Sequence, residues 1–99
     1  MKTRARTRFG NMPIVHEDKR YCLRYHIFYN EHLAAHVCVH HARWSGQTVN
    51  IYIWSLKTQS GGLAPKDMHR ARKFIAAHQA EFQAAWDKAK KGQHPGRIP

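Results

Sequence analysis

From Tyr21 to Tyr29 the chain alternates. Tyr21, Leu23, Tyr25, Ile27 and Tyr29 fall on one side of an extended strand, and Cys22, Arg24, His26 and Phe28 on the other. After a turn at Asn30–Ala34, the residues from His36 to Arg43 keep the same period, with Val37 and Val39 inward and His36, Cys38 and His40 outward. Trp44-Ser45-Gly46-Gln47 makes a second turn, and Thr48 to Leu56 a third strand. Thr58 to Gly62 reads as a loop, its Gly-Gly pair acting as a breaker. The period then changes. Met68, Ala71, Ile75, His78, Phe82, Ala85, Trp86 and Ala89 recur at three- and four-residue spacing, the apolar stripe of a helix opened by Pro65 and stopped by Gly92. A break near Ala76–Gln79 stays open.

This pattern predicts an α+β domain: a three-stranded antiparallel meander followed by one long C-terminal amphipathic helix packed on one face. Residues 1–18 read as a flexible basic arm, 19–92 as the domain and 93–99 as a frayed tail. Burying the valines with the tyrosines sets Ile27 opposite Val37 and Tyr25 opposite Val39; a one-residue slip would waste the core. The same register places His26 opposite Cys38, His36 opposite Phe28 and His40 opposite Arg24. Cys22 and Cys38 then stand about 13 Å apart, too far for a disulfide.

Charge changes the picture more than composition does. The chain has 99 residues and an ordinary hydrophobic share of 42%, but 17 Lys+Arg against 6 Asp+Glu give +11. Such an excess repels itself and favours an anionic partner, nucleic acid or an acidic protein, over a small neutral ligand. The start of the chain lacks the apolar run of a secretory signal. No window is apolar enough to span a membrane. A cytoplasmic bacterial protein is expected. The cations proposed to meet the anion are Lys2, Arg4, Arg6 and Arg8 in the arm, Arg70, Arg72 and Lys73 with Lys66 early on the helix, and Lys88, Lys90 and Lys91 at its end. Tyr52 and Trp54 are core or edge packing by position, with stacking on unpaired bases as the other reading. His78 falls in the apolar stripe and is expected to be a core or boundary histidine.

The densest chemistry lies between Glu31 and His41, a span that holds four histidines, His32, His36, His40 and His41, together with Cys38 and Glu31. Two chemistries compete there. His26, His36, Cys38 and His40 supply the nitrogen and sulfur donors that zinc prefers, although residues two apart on one strand share a metal only if their side chains converge. Alternatively, His32 and His36, with Glu31 orienting and Arg24 stabilising phosphate charge, can move a proton at a ribose hydroxyl, as in a ribonuclease toxin.

At these residues the chain resembles a small uncharacterised bacterial family, the domain of unknown function numbered four-one-six-zero. Phe28-Tyr29-Asn30-Glu31-His32 and His36-Val37-Cys38-Val39 carry the resemblance, and Ile53-Trp54-Ser55-Leu56 and Trp86 extend it, from about Tyr21 to Lys91. Ala34 and Ala35 stand where the family has two prolines, and Cys38 where it has the second histidine of a His-x-His pair. The resemblance implies a gene neighbour encoding a small DNA-binding partner, in a toxin–antitoxin-like arrangement. The expected function is therefore binding of an anionic macromolecule, RNA, DNA or an acidic protein, as the basic member of such a pair. A ribonuclease-type toxin and a phage or host inhibitor of a nucleic-acid-handling complex are the alternatives.

Overall fold

The computed structural model describes residues 13–44 and 46–99. Lys2, Arg4, Arg6 and Arg8 lie outside them. Five strands form one sheet in the order β1-β2-β3-β4-β5: β1 is Ile14–Asp18, β2 Leu23–His26, β3 His36–His41, β4 Thr48–Tyr52 and β5 Thr58–Gly62. Every neighbouring pair is antiparallel. Two helices follow, α1 over Pro65–Ala77 and α2 over Gln79–Lys90. No helix among the described residues is long and apolar enough to cross a membrane.

The α+β class and the antiparallel meander are as expected, but the sheet has two more strands and the helical layer is divided. β1 falls within the segment expected to be a basic arm. It contributes one fully buried side chain, Val15, so a short segment beside Pro13 carries too little alternation to announce itself. β5, expected as a loop, has the sequence TQSGG and is exposed almost throughout. Backbone pairing to β4 holds it, with no apolar face to reveal it.

The predicted register is found: Tyr25 pairs with Val39, His26 with Cys38 and Arg24 with His40. Val15, Leu23, Tyr25, Ile27, Val37, Val39, Val49, Ile51 and Ile53 therefore share one sheet face. Ala71, Ile75, Phe82, Ala85 and Trp86 of the helices close over it, forming one core. Full burial of each such Val, Ile or Phe stabilises by about 1.5–3 kcal/mol. Deep in this core, burial, aided by the Asp18 and Asp67 charges, holds the Tyr25 phenol well above its ordinary pKa.

His78 divides the helical layer. Its backbone leaves helical geometry at φ −132°, and its Nδ1 bonds the Phe74 carbonyl oxygen at 2.9 Å while its ring stacks on Phe74. It is the half-buried boundary histidine expected of its position. Neither Pro nor Gly causes this break. The bend lets Ile75 and Phe82, both fully buried, face the same sheet, and Gln79 Nε2 ties the junction to the Ile53 carbonyl at 2.9 Å.

Gly92 ends α2 as expected. At φ +76° it allows the Gly92 N–H to reach the Ala89 carbonyl and the Gln93 N–H the Lys88 carbonyl, a Schellman closure. The following residues return to the sheet where fraying was expected. Ile98 is buried in the core, its N–H donates to the Val15 carbonyl at 2.6 Å, and its carbonyl oxygen lies 2.9 Å from His16 Nδ1.

Candidate anion-binding cleft

An antiparallel meander brings alternate connections to the same end. Here the β1–β2 turn, the β3–β4 turn and the β5–α1 link share one end of the sheet, and hydrogen bonds join them. The Tyr21 N–H bonds Asp18 Oδ1 at 3.2 Å, and Cys22 takes the left-handed conformation at φ 59°. The Cys22 carbonyl then accepts the Ala42 N–H at 2.7 Å. In the next turn Gln47 donates its N–H to the Trp44 carbonyl at 3.2 Å, and its Oε1 accepts the Ala64 N–H at 3.2 Å. Three segments distant in sequence are thus tied side by side.

Between them lies a cleft of about 620 Å³, lined by Arg20, Tyr21, Cys22, His41, Arg43, Trp44, Ala64, Pro65, Lys66, Asp67 and Arg70. Four of these residues are cations. Asp67 is buried, and its Oδ1 accepts from Arg70 Nη1 at 3.0 Å. The Arg70 guanidinium lies 3.7 Å from the Tyr21 ring centroid, and that of Arg20 5.2 Å from it. Arg70 is thereby held by both a carboxylate and an aromatic face. Among the described residues the ion pairs join Arg24 to Glu17, His32 to Glu31 and Arg70 to Asp67, and none takes up Arg20, Arg43 or Lys66. Trp44 is 57% exposed. Its indole stacks on the buried His41 ring, centroids 4.1 Å apart and planes 14° apart, and His41 Nδ1 accepts the Arg43 N–H at 3.1 Å.

Of the cations expected to meet an anion, the cleft contains Arg70 and Lys66. Arg72 instead bonds the Leu56 carbonyl at 3.0 Å and Thr58 Oγ1 at 2.8 Å, fastening α1 to the β4–β5 connection. Lys73 is exposed and lines a neighbouring groove with Asp18, Tyr21, His69, Arg70, Phe74 and Ala77. Lys88, Lys90 and Lys91 lie at the end of α2, all three exposed. Strand periodicity gives no reason to pick out Arg20, Tyr21, Arg43 and Trp44 as ligand contacts; their shared position at alternate turns of the meander is the signal that marks them.

The histidine-rich strand divides differently from expectation. His26 Nε2 and His40 Nδ1 are hydrogen-bonded at 3.0 Å, their rings 4.7 Å apart, with Cys38 buried opposite His26. His36 does not join them. Its ring packs 5.1 Å from Trp86 of α2, and its Nδ1 bonds the Ala34 carbonyl oxygen at 3.0 Å. Among the described residues, no group of three or more His, Cys, Asp or Glu side chains is placed to hold a metal ion. Cys22 and Cys38 are not joined in a disulfide.

Glu31 and His32 lie exposed in their turn, 3.8 Å apart, where Asn30 Oδ1 accepts the His32 N–H at 2.9 Å. Arg24 donates to Glu17 at 3.0 Å, and this bond holds the Glu17 carboxyl below its ordinary pKa. Trp54 is exposed rather than core, its indole N–H donating to Gln83 Oε1 at 2.8 Å, and Tyr52 is half-buried.

Burial pushes the His40 imidazole down to about 4, helped by the neighbouring His26, Arg24 and His41. Unfolded, this side chain takes up a proton as pH falls through its ordinary 6.5; folded, it stays neutral to about 4. Its contribution is therefore complete above pH 6.5 and lost as pH falls towards 4, by about 1–2 kcal/mol after allowing for partial solvent screening. Urea unfolding at a series of pH values checks this. His40→Asn is expected to flatten the slope in that interval, and an unchanged slope would assign the pH dependence to other groups.

The fold and its cleft define an α+β domain with a cationic, aromatic-walled concavity at one end of a five-stranded meander. Residues 23–87 match the Domain of unknown function (DUF4160), and the chain belongs to that family. No curated protein and no solved structure matches it significantly.

Proposed function

We propose that this protein binds an anionic macromolecule, RNA or DNA, in the cleft at the end of the sheet, as the basic component of a toxin–antitoxin-like gene pair. The supporting observation is the convergence of Arg20, Arg43, Lys66 and Arg70 on one concavity whose carboxylate, Asp67, is already engaged by Arg70. A formal charge of +11 adds long-range attraction to the same class of ligand. A ribonuclease built on Glu31, His32, His36 and Arg24 has less support, because His36 is buried against Trp86 and Arg24 is engaged by Glu17.

Phosphate neutralisation by the cleft cations releases counterions, so affinity should fall with a log–log salt slope of about −3 if all four engage a single strand. Raising salt from about 50 to 200 mM would then weaken binding about fifty-fold. Fluorescence anisotropy with a labelled oligonucleotide measures the slope. Arg43→Gln and Lys66→Gln should each reduce its magnitude by about 0.7. A slope unchanged in both variants would place the nucleic acid elsewhere on the molecule. Binding that needs an acidic protein and survives nuclease treatment would replace nucleic acid as the ligand.

A further inference from the structure

We infer that the cleft takes single-stranded nucleic acid, with one unpaired base stacked on Trp44 while the cations around it hold the adjoining phosphates. This inference rests on the anion-binding reading of the same cleft and adds the class of ligand. Three large apolar side chains are exposed among the described residues, Phe28, Trp44 and Trp54, and Trp44 is the one among them that lines the cationic cleft. The neighbouring aromatic wall is already used: Arg70 lies over the Tyr21 ring at 3.7 Å. The Trp44 indole is different. His41 covers one of its faces at 4.1 Å, and the side chain remains 57% exposed.

His41 is itself buried, and the Arg43 N–H bonds its ring. The platform under the indole is therefore fixed, so little side-chain freedom is lost when a flat group settles on it. A flat π-system on that platform, flanked by Arg20, Arg43 and Lys66, combines the two requirements of unpaired-strand recognition: an aromatic surface for a base and cations for its backbone. A duplex keeps its base faces stacked inside and can offer this site phosphates only. The cleft, at about 620 Å³, has the size of a site for a small organic ligand such as a nucleotide.

The test uses the full chain and four probes at one salt concentration: labelled oligo-rU, oligo-dT of equal length, a matching duplex and linear inorganic polyphosphate. Both single strands should bind at least ten-fold tighter than the duplex; a duplex that binds as tightly as they do would overturn the inference. Trp44→Leu should weaken both single strands about ten-fold and leave polyphosphate binding unchanged, whereas Trp44→Phe should retain most of the affinity. Because Trp44 is exposed, thermal unfolding of both variants should match the wild type, which separates loss of stacking from loss of fold. If Trp44→Leu binds single strands as the wild type does, while Arg43→Gln weakens every probe, stacking is overturned and the anion-binding cleft stands. If no probe binds, or none responds to Arg43→Gln and Lys66→Gln, the cleft reading falls and this inference falls with it.

Discussion

Phe82→Ala is expected to cost about 3–5 kcal/mol of folding free energy, the range for truncating a large buried aromatic. The ring is fully buried, with its centroid 6.1 Å from Tyr25 on β2 and 5.9 Å from Phe74 on α1, the latter an edge-on contact. It therefore joins the sheet, the first helix and the second at one point. Removal leaves a cavity bordered by all three, and His78, four residues earlier, already breaks the helix that would have to relax into the space. A domain of this size has about 5–15 kcal/mol in total, so the variant should unfold at far lower urea. Phe82→Leu keeps most of the volume and should lose about 1–2 kcal/mol. Equilibrium urea unfolding compares the three proteins. A loss under about 1 kcal/mol for Phe82→Ala would mean that α2 is held mainly by Trp86 and Ala85.

Gly61→Ala is expected to cost about 2–4 kcal/mol although the residue is exposed, far more than ordinary surface substitutions. At φ +77° the backbone is in the region that L side chains avoid, and an added Cβ would collide with the Thr48 carbonyl oxygen across the β4–β5 ladder. That oxygen belongs to the backbone of a paired strand and has little room to withdraw. Gly62→Ala is the internal control: a Cβ there meets nothing within 4 Å, and it should change stability by less than about 0.5 kcal/mol. Thermal unfolding ranks the two, and amide exchange along β4 shows where the damage falls. Equal stability for both alanine variants would show that β5 can slip from β4 without cost to the rest.

β5 also explains how much can be read from the chain. The central strands and their register are legible because Tyr25, Val39 and their neighbours alternate strictly, and burial of that alternation admits one pairing. The helical stripe is legible for the same reason. β1 and β5 are not, since one offers a lone buried valine and the other almost no buried side chain. Those omissions matter at the site. With the fifth strand left out, the parity of the meander puts the start of α1 at the far end of the sheet from Arg43 and Trp44. Adding β5 reverses it and brings Pro65, Lys66 and Arg70 to the same end as Arg20 and Tyr21. The histidine row draws attention by composition, yet side-chain direction decides its fate: His36 turns to Trp86, while His26 and His40 bond each other. Such choices depend on neighbours that a strand pattern does not reveal.

Since the walls of the cleft come from residues 20–22, 41–44 and 64–70, no hairpin or helix cut from this chain contains a working part of it. Recognition and global folding are consequently one equilibrium. A ligand that occupies the cleft at a hundred times its dissociation constant adds about 2.7 kcal/mol to the stability of the entire domain. The melting temperature of the protein is in effect a gauge of what sits between Trp44 and Lys66, and a thermal-shift screen can rank oligonucleotides against one another with neither a label nor a catalytic assay.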